Sequence, residues 1–183
     1  MDVRTIGLHK IFVSPITDLA ATTMPANNTS SDTHWVDLGD VYEDTAKLTD
    51  DDPDVTVHKS ETSVKKIVVS KPGDCKLELS LMDPSLTELQ RLFGGEITNV
   101  TVGTDTKQKW TRPRNFQPQS FAYIGIPEDG DCTMCPVVTI VPKFEITYSK
   151  TGIMLVPMTI YLLGDVTMSP EYSKTIDPLY HAA

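Results

Sequence analysis

Cys132 and Cys135 have the one spacing in this chain that suits metal binding or thiol redox chemistry, a C-x-x-C pair in the run Cys132-Thr133-Met134-Cys135. A structural zinc site wants a second pair of ligands. Cys75 and His34, His58 or His181 could be recruited, yet none forms a matching C-x-x-C or H-x-x-x-H partner. A thioredoxin-like site needs the motif at a helix N-terminus after a strand. Here Gly130-Asp131 precede it, and Pro136 with a β-branched run follows, so the pair reads as two small residues in a turn or at a sheet margin. His9, His34, His58 and His181 are scattered, and no run resembles a nucleophile elbow, a metalloprotease helix or a glycine-rich phosphate loop. Asp50-Asp51-Asp52-Pro53-Asp54 clusters carboxylates but lacks the glycine that an EF-hand loop requires at its sixth position. The sequons at Asn27, Asn28 and Asn99 matter only in a secreted chain. The expectation is a protein with no catalytic residue, no metal and no cofactor.

Charge is the stronger signal. The chain carries 16 Lys and Arg against 25 Asp and Glu, a net charge of −9. Between Asp37 and Glu61 lie nine acids and two lysines, which supply −7 of that total. Lys107, Lys109, Arg112 and Arg114 form a basic run without an acid, interleaved with Trp110 and Phe116. Such an acidic whole argues against a duplex DNA binder, which needs a positive face for phosphates. Single-strand binding by the basic run, with bases stacked on its aromatics, is the lesser reading. The two patches can instead meet between copies, head to tail, and set register.

The elements that would position these residues are strands, because apolar residues recur mainly with period two. Cys75, Leu77, Leu79 and Leu81 alternate with polar residues, which puts them on one face of a half-buried strand. Weaker alternation marks 5–13, 35–42, 54–60, 63–69, 96–102 and 120–126. Val137 to Tyr148 and Ile153 to Leu163 read as a long C-terminal hairpin joined at Ser149-Lys150-Thr151-Gly152, with Pro142 and Pro157 at edges or bulges. One segment differs. Leu86, Leu89, Leu92 and Phe93 form a helical stripe, with Asp83 expected as cap, Pro84 as first residue and Gly94 as stop, giving a short helix over about 84–93. Residues 20–32 and 48–53 read as exposed loops, and 174–183 as an extended arm that orders against a partner.

The chain has 183 residues, 39% of them hydrophobic, which is long and apolar enough for one folded domain and too apolar for disorder. Three cysteines are too few for a disulfide framework. No stretch approaches a membrane span, and the first residues do not resemble a signal sequence, so a soluble, unprocessed protein is expected.

The run from Trp35 to Thr56, a following strand, and Leu79-Ser80-Leu81-Met82-Asp83-Pro84-Ser85 opening a short helix that closes on Gly94-Gly95 resemble the major tail proteins of tailed bacteriophages. These are similar in fold to the tube proteins of contractile injection and type VI secretion systems. The resemblance covers mainly residues 35–95 and is looser over the terminal hairpin. It implies a β-sandwich or barrel with one flanking helix, assembled as hexameric rings stacked into a hollow tube that guides DNA out of the capsid. It also implies the phage virion as location, after synthesis in the host bacterial cytoplasm, with other tail proteins as partners, DNA as passing cargo and no membrane segment. A long loop that reaches the neighbouring ring would correspond to residues 43–62.

Combined with the charge pattern, this places Asp50, Asp51, Asp52 and Asp54 against Lys107, Lys109, Arg112 or Arg114 of another subunit. Lys143, Glu145, Thr147, Thr159 and Tyr161 are the polar candidates for the lumen wall, subject to strand register. The alternative is a non-catalytic β-sandwich adhesion or capsid-decoration module. The helix argues modestly against it, since plain sandwiches seldom devote a capped amphipathic helix to their core.

Overall fold

The computed structural model describes residues 5–25, 35–59, 61, 66–71, 73–145 and 153–169. Twelve strands and one helix are described: β1 (Thr5–Pro15), β2 (Val36–Asp37), β3 (Lys47–Asp50), β4 (Asp54–Lys59), β5 (Lys66–Lys71), β6 (Cys75–Met82), α1 (Leu86–Phe93), β7 (Glu96–Val102), β8 (Asp105–Thr111), β9 (Gln119–Gly130), β10 (Cys132–Pro142), β11 (Leu155–Leu162) and β12 (Thr167–Ser169). The fold is mainly β with antiparallel sheets and one short helix, as the alternation predicts.

The main sheet runs β2-β1-β9-β10-β11-β6-β3. Its two ends belong to one stretch of chain. Val36 and Asp37 pair with Val13 and Phe12 of β1, and the Leu38 amide donates to the Ile11 carbonyl. A few residues on, Val41 bridges Leu81, the Tyr42 amide donates to Ser80, and Lys47 to Asp50 pair with Glu78 to Cys75 of β6. Segment 36–50 thus crosses from one edge of the sheet to the other and wraps it into a barrel. Gly39, at φ 114, permits the crossing. It also explains why the strand expected over 35–42 contracts to two residues: the chain changes partner in the middle of that run.

Alternate residues fill the interior. Ile11 and Val13, Leu77, Leu79 and Leu81, Phe121 and Tyr123, Val138 and Ile140, and Val156, Met158 and Ile160 form one buried cluster with Leu89, Leu92 and Phe93 of the helix. Each fully buried aliphatic side chain is worth roughly 1.5–3 kcal/mol, so the strands and α1 stand or fall together. A smaller cluster of Phe12, Trp35, Ala122 and Ile124 lies on the opposite face of β1 and β9, with Ile16 and Met24 against it.

The helix starts later than expected. Ser85, not Asp83, is the N-cap: its hydroxyl accepts from the Glu88 amide while the Glu88 carboxylate accepts from the Ser85 amide. Asp83 instead takes φ 43 at the exit from β6, and Gly94 ends the helix at φ 69 as expected. The terminal hairpin is shifted as well. β10 begins at Cys132 and stops at Pro142, and its far edge is shared: Val138 to Pro142 pair with β11, and Cys132 to Met134 with β12. Pro136 falls where the β9–β10 register shifts, a position that needs no ladder amide. Pro142 and Pro157 lie where β10 and β11 part, near the predicted role. The expected turn at 149–152, most of the expected loop 20–32, and the arm 174–183 lie outside the described residues.

Candidate interaction surfaces

Two hairpins stand off the barrel. Among the described residues β4 and β5 pair only with each other, in register from Asp54↔Lys71 to Lys59↔Lys66. Residues directly opposite share a face, so Val55, Val57, Val68 and Ser70 lie on one side. The three valines are 52%, 47% and 61% exposed. Segment 43–62, which the resemblance implies as a long loop, thus holds two strands, the second of them where alternation marks 54–60. Lys47–Asp50 belongs to the barrel, and 54–59 forms half of this hairpin, because β-branched alternation outweighs the aspartates.

β7 and β8 form the second hairpin, turned at Gly103 with φ 67. The first half of the basic run read as a patch lies on its second strand. Lys107 and Lys109 are exposed on one face of β8, and Trp110 turns inward, donating its indole N–H to the Gly94 carbonyl at 2.9 Å. Arg112 follows the strand and lies 5.4 Å from the Phe93 ring centroid and 5.2 Å from that of Phe144. Those rings desolvate one side of the guanidinium and attract its charge. Arg114 is exposed beyond it.

Among the acids, Asp50 ends β3, and Asp51, Asp52 and Pro53 connect to Asp54 at the start of β4, all exposed. Asp51 pairs with Lys76 of its own chain at 2.9 Å, which raises the Lys76 pKa. No ion pair joins the acids to Lys107, Lys109, Arg112 or Arg114 among the described residues.

The lumen candidates divide. Thr159 and Tyr161 lie on the outward face of β11, where Tyr161 stands between Thr139 of β10 and Lys76 of β6, and Thr159 between Val141 and Glu78. Lys143 and Glu145 are exposed and pair with each other at 2.8 Å. Thr147 lies outside the described residues. Four of the five thus occur at or beyond one polar sheet face.

Cys135 and Cys75 face the barrel core, whereas Cys132 lies on the opposite face of β10. Cys132 and Cys135 are buried on β10, and burial raises both thiols. The Cys135 thiol donates to the Val137 carbonyl at 3.1 Å. Burial first, then the Asp50 carboxylate, pushes Cys75 up to about 11. A raised thiol is a poor nucleophile and a poor metal ligand at neutral pH. Among the described residues no group of three or more His, Cys, Asp or Glu is placed to hold a metal ion.

One feature had no signal in the sequence. β1 is paired along its whole length to β9, but to β2 only at Phe12 and Val13, so among the described residues its first half has a free edge. Among the described residues β3 is bonded to β6 alone. Between these edges opens an apolar cleft of about 290 Å³, walled by Leu8 and Leu48 and floored by Leu77 and Tyr123, with Met168 at one side. It continues into a polar recess of about 580 Å³ lined by Tyr42, Glu43, Asp44 and Glu128. Non-local pairing brings these residues together, so spacing along the chain could not reveal them.

Comparison with known proteins finds no family model that matches the chain and no curated protein significantly similar to it. Among the described residues no helix is long and apolar enough to cross a membrane.

Proposed function

We propose that this chain is a structural protein that self-assembles into stacked hexameric rings, forming the hollow tail tube of a bacteriophage through which DNA is delivered. The observation that carries the reading is the β4–β5 hairpin. It makes no substantial contact with another described element and holds Val55, Val57 and Val68 in water, where an isolated two-stranded hairpin is marginal at best. A second copy supplies the missing cover. Contacts that join different surfaces of identical subunits do not satisfy themselves, so they propagate into rings or filaments.

The charge pattern supports the same reading. Exposed Asp52 and Asp54 at the hairpin base and Lys107 and Lys109 on β8 are free to steer one copy onto another, with Asp50, Asp51, Arg112 and Arg114 beside them. Such pairs are worth at most about 1 kcal/mol each and are screened by salt, so they set register while apolar burial and strand pairing hold the contact. The outward face bearing Thr159, Tyr161, Lys143 and Glu145 is suited to a wall along which DNA slides, and the net charge of −9 discourages the polyanion from sticking. Other tail proteins would cap such a tube.

Negative-stain electron microscopy across a concentration series, with light scattering on the same samples, tests the proposal. Rings of about six copies or hollow tubes of uniform diameter are expected. A monodisperse monomer at every concentration and salt would favour the non-catalytic adhesion or capsid-decoration module instead.

A further inference from the structure

The cleft between β1 and β3 is apolar at its floor and acidic at its rim. Leu8, Leu48, Leu77 and Met168 supply the first, and Glu43, Asp44 and Glu128 the second. Leu48 and Met168 are exposed there, and among the described residues both flanking strands present unpaired backbone edges. The β4–β5 hairpin has the complementary character. Its exposed face is aliphatic, and across residues 54–71 the acids Asp54 and Glu61 are outnumbered by Lys59, Lys65, Lys66 and Lys71, although the region around it is acidic. Lys66 and Lys71 are exposed.

We propose that the cleft receives the β4–β5 hairpin of a second copy, with Val55, Val57 and Val68 against Leu48, Leu77 and Met168, with Lys66 of that same face on the Glu43, Asp44 and Glu128 rim, and with Lys71, on the other face at the hairpin base, adding positive charge nearby. The inference rests on the self-assembly reading above and names a donor and an acceptor surface for it. Three elements of the match are independent: apolar face to apolar floor, basic arm to acidic rim, and a strand pair offered to open strand edges, where backbone groups left unpaired invite another strand. Because donor and acceptor are different surfaces, each copy retains one of each after docking, and the contact repeats. One hairpin face buries less than the roughly 1,200 Å² of a stable pair, so a single contact is weak, and a ring presenting several at once gains by avidity.

The test uses two charge variants of the full chain, one with Glu43→Lys, Asp44→Lys and Glu128→Lys, the other with Lys66→Glu and Lys71→Glu. All five positions are exposed, and circular dichroism checks that each variant folds. Each alone should need an about tenfold higher concentration to associate, while an equimolar mixture should recover association, because each variant's hairpin then opposes the other's rim. Variants that associate as the wild type does, or a mixture without rescue, overturn the proposal.

A photo-crosslinking residue at Val57, in a mixture of isotopically heavy and light chains, gives a second readout. Inter-chain products at Leu8, Leu48 or Met168 are expected. Products within one chain, at residues 170–183, or elsewhere on the partner overturn the inference. Electron microscopy of the same samples separates the two readings. Tubes whose crosslinks avoid the cleft would leave the tail-tube reading standing and remove this contact, whereas cleft crosslinks in a species that is not a tube would do the reverse.

Discussion

The hydroxyl of Tyr123 packs over the bare Cα of Gly125, two residues along β9, so that a Cβ at Gly125 would meet it. Tyr123 is 2% exposed within the barrel and has little room to retreat. Gly125→Ala should cost about 1–3 kcal/mol by overpacking. Tyr123→Phe on that background should return part of the loss, since it removes the oxygen but leaves the ring carbon that carries it 2.8 Å from the added methyl. Urea unfolding of the wild type, the single and the double variant checks both statements.

The helix offers a graded pair. Ser85→Ala removes one half of the capping box and should cost about 1 kcal/mol. Leu92, 2% exposed between helix and barrel, has no partner for a charge, so Leu92→Asp should abolish cooperative folding. Thermal melts followed by circular dichroism give the comparison, and an unchanged melting temperature for Leu92→Asp would refute the packing described.

The helix also shows how far the chain can be read unaided. The stripe of Leu86, Leu89, Leu92 and Phe93 is unmistakable, and it does dock on the core. Its start is ambiguous because Asp83 and Ser85 are both good caps; the pair Ser85 and Glu88, spaced as a capping box, was the signal that decides between them. β6 and β7 were legible from alternation alone. β3 and β8 were obscured because their charged residues dominate, Asp50 in one and Lys107 with Lys109 in the other, although strands with a solvated face carry such residues freely. The wrapping of segment 36–50, and with it the cleft, depends on pairings between distant strands that no local pattern encodes.

The thiols predict a pH dependence. Cys75 titrates at about 11 in the fold against 9.0 for an unperturbed thiol, with burial the larger cause. A raised folded pKa contributes stability that is fully present below pH 9.0 and is lost as the pH rises through about 11, since the unfolded thiol then releases its proton first. Cys132 and Cys135 are shifted in the same direction. Unfolding midpoints should hold level up to pH 9.0 and fall above it, and Cys75→Val should flatten part of that fall. A Cys75→Val profile as steep as the wild type's would assign the fall to other groups.

Reversing the exposed acids tests their role in steering. Asp52→Lys with Asp54→Lys leaves the Asp51–Lys76 pair in place. It should slow association at low salt and have little effect at high salt, where such charges are already screened. Light-scattering growth curves at two ionic strengths measure this, and equal rates for variant and wild type at low salt would remove the acidic patch from the assembly contact.

Wrapping the barrel through distant pairings also sets a timetable for its formation. Thr5 to Pro15 must wait for Gly130 to Phe121 before β1 gains its main partner, whereas β4 with β5 and β7 with β8 need only their neighbours in the chain. On a ribosome adding about 5–20 residues each second, the two projecting hairpins can form while the first strand still lacks its mate. The hairpin proposed to dock on other copies can therefore pair transiently before the barrel closes, and under that proposal a nascent chain in a crowded polysome is open to premature association for that interval.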